Sequence, residues 1–200
     1  MIQPHAHLVD DDEAIRDALA WLLNSRNIPC TTHDSAERFL AYWTEDTSGC
    51  VVLDMRMSGT SGQDCFDILL ERGSKLPVIF LTGHGDVPLA VATLKRGAFD
   101  FFEKPFNDND LASRIEEAMA LNARQRAANA TVNSVNERLS RLTSRERQIM
   151  EQVLAGKYNK VIADELNISM RTVEVHRANL FDKMQVKTAV ELANLMKPGR

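Results

Sequence analysis

The stretch PVIFLT, residues 77–82, is the clearest strand in the sequence, since four apolar residues and a threonine follow a proline. A second run, CVVLD at residues 50–54, has the same character and ends in an aspartate. Continuous apolar runs of this length are typical of strands that are buried on both faces of a parallel sheet. Such a sheet needs helices on both sides, so an α/β fold is predicted.

Shorter strand-like and helix-like segments alternate on both sides of these two runs. The strand-like segments are AHLV (6–9), PCTTH (29–33) and FDFF (99–102). The helix-like segments are EAIRDALAWLLNS (13–25), SAERFLAYW (35–43), QDCFDILLERG (63–73), VPLAVATLKRG (87–97) and a last one from about Asp108. A strand followed by a helix thus repeats five times, which predicts one parallel-sheet domain over residues 1–121.

Charge divides the chain into two unlike parts. The 200 residues carry a net charge of −4, with 44% hydrophobic and 26% charged residues, which is ordinary for a globular protein. Residues 1–121 hold 20 acidic and 10 basic side chains, whereas residues 122–200 hold 8 acidic and 14 basic ones. An acidic first part and a basic second part indicate two modules with different partners, and the second is a candidate for nucleic-acid binding.

Several protein classes are disfavoured by the same composition. No run approaches the roughly 20 apolar residues of a membrane span, and MIQPHAHLVDDDE lacks the basic start and apolar core of a secretory signal. Cys30, Cys50 and Cys65 are widely spaced without a metal-ligand pattern, so free thiols are expected. We therefore expect a cytoplasmic protein without a membrane partner.

Residues 122–141 are expected to link the two modules. Neither Gly nor Pro occurs between Glu116 and Leu142, so a long helix is compatible with this stretch. Asn129, Asn133 and Asn136 are weak helix formers, and they leave a loose linker as an equal alternative. One register has the apolar spacing of a short coiled-coil seam: Leu121, Ala128, Val132, Val135, Leu139 and Leu142.

Residues 142–200 have helical patterns throughout and predict an all-α domain of four helices. The helical segments are SRERQIMEQVLAG, NKVIADEL, SMRTVEVHRANLFDKM and TAVELANLMK. NIS (167–169) joins the second to the third, which is a helix-turn-helix spacing, and Ser169 can cap the third helix. Residues of two helices are expected to pack together in the core: Val173, Leu180 and Met184 on Ile162 and Leu166.

Five side chains with complementary chemistry follow the ends of the predicted strands: Asp10, Asp11, Asp54, Thr82 and Lys104. The carboxyl ends of parallel strands lie at one edge of a sheet, so these side chains should gather there. Carboxylates that repel one another suit a hard divalent cation such as Mg²⁺, and the lysine can pair with the third aspartate. An aspartate supported by Mg²⁺, a lysine and a threonine can act as a nucleophile and accept a phosphoryl group.

The first module resembles the receiver domains of two-component signalling. The motifs VDDDE, VVLDMRM, LTGHGD and FFEKPF match in order and spacing. The resemblance implies a flavodoxin-like (βα)5 fold with strand order 2-1-3-4-5. It also implies that Asp54 is the phosphoacceptor, and that Mg²⁺ is bound by Asp10, Asp11, Asp54 and the main-chain carbonyl of Arg56.

Further residue roles follow from the same resemblance. Thr82 and Lys104 would contact the phosphoryl group, and Phe101 would be the switch aromatic that turns inward as Thr82 moves. The stretches GHGDVP and FFEKPF point to the nitrogen-fixation-regulator branch. That branch usually has proline at the place of Ser58, so we expect a looser loop there. At most slow self-dephosphorylation is expected, with His84 either tuning hydrolysis or simply solvated.

The second module resembles the helix-turn-helix of quorum-sensing and nitrate-response regulators, the LuxR type. The matching residues are Glu146, Gly156, Asn159, Lys160, Ile162, Ala163, Leu166, Ile168, Ser169, Thr172, Val173, His176, Asn179 and Lys183. In relatives the last helix dimerises on DNA. Here it could also cap the core of its own domain, and the two roles are compatible.

The third helix of this module is expected to enter the major groove of DNA. Its groove-facing residues would be Arg171, Glu174, Val175 and Ala178. Glu174 is a candidate acceptor for a cytosine amino group, and Val175 a candidate contact for a thymine methyl group. Phosphate contacts are expected from Lys160, Arg171, Thr172, Arg177 and Lys183.

Together the two resemblances lead to the hypothesis of a phosphorylation-activated transcriptional regulator. A sensor histidine kinase would phosphorylate Asp54, and the change would promote homodimerisation, release the second domain, or both. The partners would be double-stranded promoter DNA and RNA polymerase. As a whole the chain also resembles regulators of bacterial styrene degradation, which suggests a role in aromatic catabolism.

Two other functions stay open on sequence grounds. One is an Mg²⁺-dependent phosphatase with an aspartyl intermediate, although such enzymes usually carry an aspartate where this chain has Arg56. The other is a constitutive DNA-binding protein that uses its receiver domain only as a dimer scaffold. Rapid turnover of a phosphate ester would favour the first, and phosphate-independent DNA binding would favour the second.

Overall fold

The computed structural model describes residues 4–83 and 87–197. The chain forms two compact units, which divide between Ala127 and Ala128. This division falls inside the stretch 122–141 that the sequence assigns to a linker, and the three predicted domain ranges stay a prediction. None of the described helices is both long and apolar enough to cross a membrane.

In the described part of the first unit, five parallel strands form one sheet in the order β2-β1-β3-β4-β5, which confirms the expected fold. The strands are β1 (His5–Val9), β2 (Cys30–His33), β3 (Gly49–Asp54), β4 (Val78–Thr82) and β5 (Asp100–Glu103). Asp54 lies opposite Leu81, and Thr82 lies opposite Glu103. The ends of these strands are therefore aligned at one edge of the sheet.

The helices of this unit follow the strands in alternation. They are α1 (Glu13–Ser25), α2 (Ala36–Tyr42), α3 (Gly62–Glu71), α4 (Val87–Lys95) and α5 (Asp108–Ser140). The first three begin after polar N-cap residues, Asp12, Ser35 and Ser61, whose side chains accept hydrogen bonds from main-chain N–H groups of the first turn. Such caps satisfy donors that have no partner within the helix itself.

The sheet buries apolar side chains on both faces, because alternate residues of a strand point to opposite sides. On one face, Val52 belongs to a cluster that contains Leu23 of α1 and Ile115 of α5. On the other face, Leu53 belongs to a cluster that contains Phe39 of α2. The apolar runs of the sequence thus form the centre of an α/β layer structure.

Helix α5 contacts the first unit beyond residue 121, which is the predicted end of the first domain. Asn122 is buried, and its Oδ1 accepts a hydrogen bond of 3.1 Å from the N–H of Gly49. Its Nδ2 donates to the carbonyl of Lys75 at 3.2 Å. Arg126 donates to two main-chain carbonyls of the loop 44–48. The sequence pattern did not indicate these contacts, because an asparagine in a polar helix gives no sign of burial.

The second unit contains, besides the end of α5, the helices α6 (Ser144–Leu154), α7 (Asn159–Leu166), α8 (Met170–Met184) and α9 (Ala189–Met196). Thr143 and Glu146 form a reciprocal capping box at the start of α6. Ser169 caps α8 as predicted, since its Oγ accepts a hydrogen bond of 3.0 Å from the N–H of Thr172.

The core of the second unit confirms the packing predicted for α7 and α8. Val173, Leu180 and Met184 are fully buried in one cluster with Ile162, and Leu166 packs against it. Residues from α6 and α9 complete this cluster, including Ile149 and Leu192. A shared core of this kind fixes α8 relative to the helices around it.

Candidate functional site

Three charged side chains meet at the edge of the sheet where β1, β3 and β5 end. The Nζ atom of Lys104 lies 2.6 Å from Oδ1 of Asp54 and 2.9 Å from Oδ2 of Asp10. Asp10 and Asp54 are 2% and 6% exposed. The predicted pairing of Lys104 with Asp54 is confirmed, and the pairing extends to Asp10, so the lysine is placed between two buried carboxylates.

The turn after β5 presents this lysine. The N–H of Lys104 donates to the carbonyl of Thr82 at 2.8 Å, which ties the end of β5 to the end of β4. The Lys104–Pro105 peptide bond is cis. Burial lowers the pKa of Lys104, but the hydrogen bonds and charges of Asp54 and Asp10 outweigh burial and raise it. The lysine is therefore a permanent positive charge in this site.

The pKa of Asp54 is raised above its ordinary value. Burial is the main cause, and the hydrogen bond and charge of Lys104 offset it only in part, while the neighbouring Asp10 raises it further. Asp54 also accepts a hydrogen bond of 2.9 Å at Oδ2 from the N–H of Arg56. A carboxylate that is desolvated yet held by directed donors is suited to act as a nucleophile.

A metal ion fits the carboxylates at this edge. Within the described part of the chain, one group of three ligand side chains converges: Asp10, Asp11 and Asp54 offer oxygen atoms within 4.8 Å of one another. Oxygen donors of this kind suit hard divalent cations such as Mg²⁺. Lys104 contacts two of the three carboxylates but offsets only one negative charge, so a cation has two negative charges left to neutralise. The donor set therefore fits Mg²⁺.

The three consecutive aspartates of the sequence have three different environments. Asp10 is buried against Lys104, and Asp11 is exposed. Asp12 is the N-cap of α1 and accepts hydrogen bonds from the N–H groups of Ala14 and Ile15. The capping role was missed, although an aspartate directly before an amphipathic helix is a recognised sequence signal for it.

Ser58 contacts the candidate metal ligand Asp11 directly. Its N–H and its Oγ both donate to Oδ2 of Asp11, at 2.8 and 2.9 Å. These bonds, the main-chain one first, lower the pKa of Asp11. Serine has the N–H that proline lacks and uses it here, while the expectation of a looser loop at Ser58 stays a prediction.

Thr82 and Phe101 lie on neighbouring strands of the same sheet. Thr82 is fully buried, and its hydroxyl donates to the carbonyl of Phe102 at 3.5 Å, a long hydrogen bond. Phe101 is half-buried and packs against the core face shared with α2 and α3. Their predicted roles in the switch remain predictions. The main-chain carbonyl of Arg56 stays a predicted ligand of Mg²⁺. His84, the predicted modulator of phosphoryl hydrolysis, lies outside the described residues.

The candidate nucleic-acid interface is the outer face of α8. Arg171, Glu174, Val175 and Ala178 are all exposed, and Val175 has 53% of its surface accessible. Lys160 on α7 is exposed as well. An exposed valine among charged residues on a helix is available for contact with a base edge. Their contacts with DNA stay a prediction.

The remaining predicted phosphate contacts are engaged within the domain. Lys183 donates to both carboxylate oxygens of Glu146, at 2.9 and 2.7 Å, and Glu146 is 3% exposed. The hydroxyl of Thr172 is hydrogen-bonded to Ser169 at 2.7 Å. The guanidinium of Arg177 lies 5.4 Å from the ring centroid of Phe181. Lys183 thus forms a partly buried ion pair with Glu146, and its contact with DNA stays a prediction.

Two protein families match the chain. The response regulator receiver domain matches residues 6–116, and the LuxR family of bacterial regulatory proteins matches residues 140–196. The first match contains all the charged side chains of the sheet edge described above. The second contains all of α6 to α9.

Relatives match this chain over almost its whole length, across both modules. The transcriptional regulatory protein FixJ of Azorhizobium caulinodans is 43% identical over 94% of this chain and 90% of that protein. The C4-dicarboxylate transport transcriptional regulatory protein DctR of Rhodobacter capsulatus is 45% identical over 94% of this chain and 97% of its own length. The solved structure of the response regulator StyR is 38% identical, with a TM-score of 0.93, and the match covers 98% of this chain and 99% of that one.

Proposed function

This chain belongs to the two-component response regulators that join a receiver domain to a LuxR-type DNA-binding domain, and from this premise we propose that Asp54 is its phosphoacceptor. The observation that carries the proposal is the Lys104 ammonium, which lies 2.6 Å from Oδ1 of Asp54 and also binds Asp10. This ammonium pairs with the buried carboxylate of Asp54 at the end of β3, where the incoming phosphoryl group would arrive.

In the proposed reaction, an oxygen of Asp54 attacks the phosphorus of a phosphohistidine on a sensor histidine kinase. The P–O bond forms as the P–N bond breaks, and the electron pair goes to the imidazole nitrogen of the kinase, which takes up a proton. Lys104 stabilises charge on the transferring oxygens, and Thr82 donates a hydrogen bond to one of them. Asp10, Asp11, Asp54 and the carbonyl of Arg56 would hold Mg²⁺, which when bound neutralises charge on the phosphoryl oxygens.

The response to phosphorylation involves Thr82 and Phe101. When the Thr82 hydroxyl turns to the phosphoryl group, its long hydrogen bond to the carbonyl of Phe102 is given up. Phe101 on the neighbouring strand is half-buried, so an inward movement would bury more of its ring. This rearrangement changes the outer surface of the receiver and promotes a homodimer, release of the second domain, or both.

The output is the binding of promoter DNA by the second unit. The exposed residues Arg171, Glu174, Val175 and Ala178 of α8 face the bases, and Lys160 and Arg177 contact phosphates. A homodimer would place two recognition helices on successive turns of the major groove. The DNA-bound regulator would then contact RNA polymerase. The protein acts in the cytoplasm. The resemblance of the whole chain suggests that the regulated genes belong to aromatic catabolism.

The chain is a transcriptional regulator, as its relatives are. We propose that it is not a phosphatase. We propose that loss of the phosphoryl group from Asp54 is slow. In this view the basic Arg56, at the position where aspartyl phosphatases carry a second aspartate, cannot serve as their general acid or base.

Phosphorylation of full-length protein by acetyl phosphate with Mg²⁺ tests the assignment. Intact-mass measurement should show one phosphoryl group on wild type and none on Asp54→Asn. Asp17→Asn, an exposed carboxylate on α1, is the matched control and should label like wild type. Full labelling of Asp54→Asn would show that another residue is the phosphoacceptor.

A further inference from the structure

We propose that Ser58 is a positioning residue for divalent-cation binding: through its two hydrogen bonds it holds Asp11 in the carboxylate cluster. The proposal rests on the proposed function of that cluster. Both donors reach the same oxygen, Oδ2 of Asp11, at 2.8 Å from the main chain and 2.9 Å from the hydroxyl.

Asp11 needs such a support more than the other two carboxylates do. Asp10 and Asp54 are buried and bound by Lys104, whereas Asp11 is exposed and lies at the start of the loop after β1. Before a cation binds, the three carboxylates repel one another, and an exposed side chain relieves that repulsion by rotating into solvent. The bonds from Ser58 oppose this rotation.

The loop that carries Ser58 is itself fixed from two sides. The N–H of Arg56 donates to Asp54 at 2.9 Å, and the N–H of Thr60 donates to Oε1 of Glu37 on α2 at 2.8 Å. Between Ser58 and Thr60, Gly59 has a φ of +81°, a conformation that glycine adopts readily. Ser58 is therefore presented from an anchored loop, and it couples Asp11 to the same loop that contacts Asp54.

These hydrogen bonds leave Asp11 able to bind a cation. An ionised carboxylate offers about four lone-pair positions, and Ser58 occupies two of them on Oδ2. The remaining lone pairs of Asp11 are held next to Asp10 and Asp54. Less conformational entropy is therefore lost when a cation binds, because the ligands are already gathered. A proline at this place removes the main-chain donor and the hydroxyl together.

Binding of Mn²⁺ to full-length protein, followed by electron paramagnetic resonance, measures this effect without phosphorylation. Ser58→Thr keeps both donors and should bind within about twofold of wild type. Ser58→Ala loses the hydroxyl and should bind roughly threefold more weakly, and Ser58→Pro, which loses both donors, should bind roughly tenfold more weakly. Equal or tighter binding by Ser58→Ala would overturn the proposal, since the serine would then be neutral or compete with the cation.

A second readout separates positioning from general damage to the fold. The Mg²⁺ concentration for half-maximal phosphorylation by acetyl phosphate should rise for Ser58→Ala and Ser58→Pro, while the rate at saturating Mg²⁺ stays within about twofold. A lowered saturating rate with unchanged half-saturation would count against the proposal.

The same titration distinguishes this proposal from the proposed function. Asp11→Asn should weaken Mn²⁺ binding whatever Ser58 does. If neither Asp11→Asn nor Asp54→Asn changes binding, the cation site itself is wrongly placed, and the role of Ser58 falls with it. If both weaken binding and Ser58→Ala does not, the site stands and the Ser58 proposal alone is refuted.

Discussion

Lys183 of α8 forms an ion pair with the buried Glu146 of α6, with Nζ at 2.9 and 2.7 Å from the two carboxylate oxygens. The N–H of Thr143 donates to the same carboxylate at 2.8 Å. Burial raises the pKa of Glu146, but the bonds from Lys183 and Thr143 outweigh it, so the pKa is lowered and the group stays ionised. The pair thus joins the first helix of the DNA-binding domain to its recognition helix.

We expect Lys183→Met to lower the stability of the second domain rather than to act on DNA contacts. It leaves the carboxylate of Glu146 buried with one fewer donor, which should cost about 2 kcal/mol of unfolding free energy. Thermal unfolding followed by circular dichroism measures this loss. Lys187→Met, an exposed lysine beyond the end of α8, is the matched control and should unfold like wild type. An unchanged melting temperature together with a shallower salt dependence of DNA binding would restore the phosphate-contact role.

Substitutions on the outer face of α8 should separate base contacts from phosphate contacts. Lys160→Ala should weaken binding to all DNA sequences alike and reduce the slope of log K against log salt by about 1. Glu174→Ala should instead reduce the difference in binding free energy between the preferred and the other bases at one position, by about 1–3 kcal/mol. The slope of log K against log salt should change little. Fluorescence anisotropy across salt concentrations and single-base operator variants measures both. A general loss of affinity for Glu174→Ala would show that it does not read a base.

The buried His7 makes the receiver domain sensitive to acid. Its side chain is 1% exposed, and burial, assisted by the charge of neighbouring His33, lowers its pKa from 6.5 to about 4. His7 binds a proton more readily in the unfolded chain than in the folded one. The stability that comes from keeping His7 neutral is therefore complete above pH 6.5 and is lost as pH falls toward 4. The loss amounts to about 3 kcal/mol.

Urea unfolding at a series of pH values tests the role of His7. Trp21 and Trp43 both lie in the first unit, so tryptophan fluorescence reports on the receiver alone. His7→Leu should flatten the decline of stability between pH 6.5 and 4. His176→Gln, in the second unit, should leave that decline as in wild type. An equally steep decline in His7→Leu would assign the acid sensitivity to other groups.

The hydrogen bonds of Asn122 predict that the receiver needs more of α5 than its motifs indicate. Asn122→Ala leaves the N–H of Gly49 without its acceptor at a buried position, which should cost about 1–3 kcal/mol. Arg124→Ala, exposed on the same helix, is the control. Unfolding of both variants by tryptophan fluorescence gives the comparison. Equal stability of the two variants would mean that water replaces the asparagine.

Local patterns were sufficient to predict most of the fold. The apolar runs ending in Asp54 and Thr82 gave the central strands, and helical periodicity with a serine N-cap gave the start of α8 at the right residue. Gathering of the site residues followed from strand ends alone, because parallel strands bring their carboxyl ends to one edge. The pairing of Lys104 with Asp54 needed no further information.

Contacts between distant residues could not be predicted in this way. Lys183 and Glu146 are separated by 37 positions, and Asn122 and Gly49 by 73. Nothing in the local sequence distinguishes such a lysine or asparagine from a solvated one. The hydrogen bonds of Ser58 were missed for a related reason, because the sequence showed only that proline is absent and not that the N–H of Ser58 donates to Asp11, 47 positions away.

The Lys104 ammonium between Asp10 and Asp54 has a consequence for how strongly phosphorylation depends on magnesium. A phosphoryl group on Asp54 would add negative charge to a site that one lysine leaves only partly neutralised. By thermodynamic reciprocity, a cation that stabilises the phosphorylated form is itself held more tightly by that form. Free magnesium in the cell and the equilibrium fraction of phosphorylated protein are then linked quantities, and a fall in the first lowers the second.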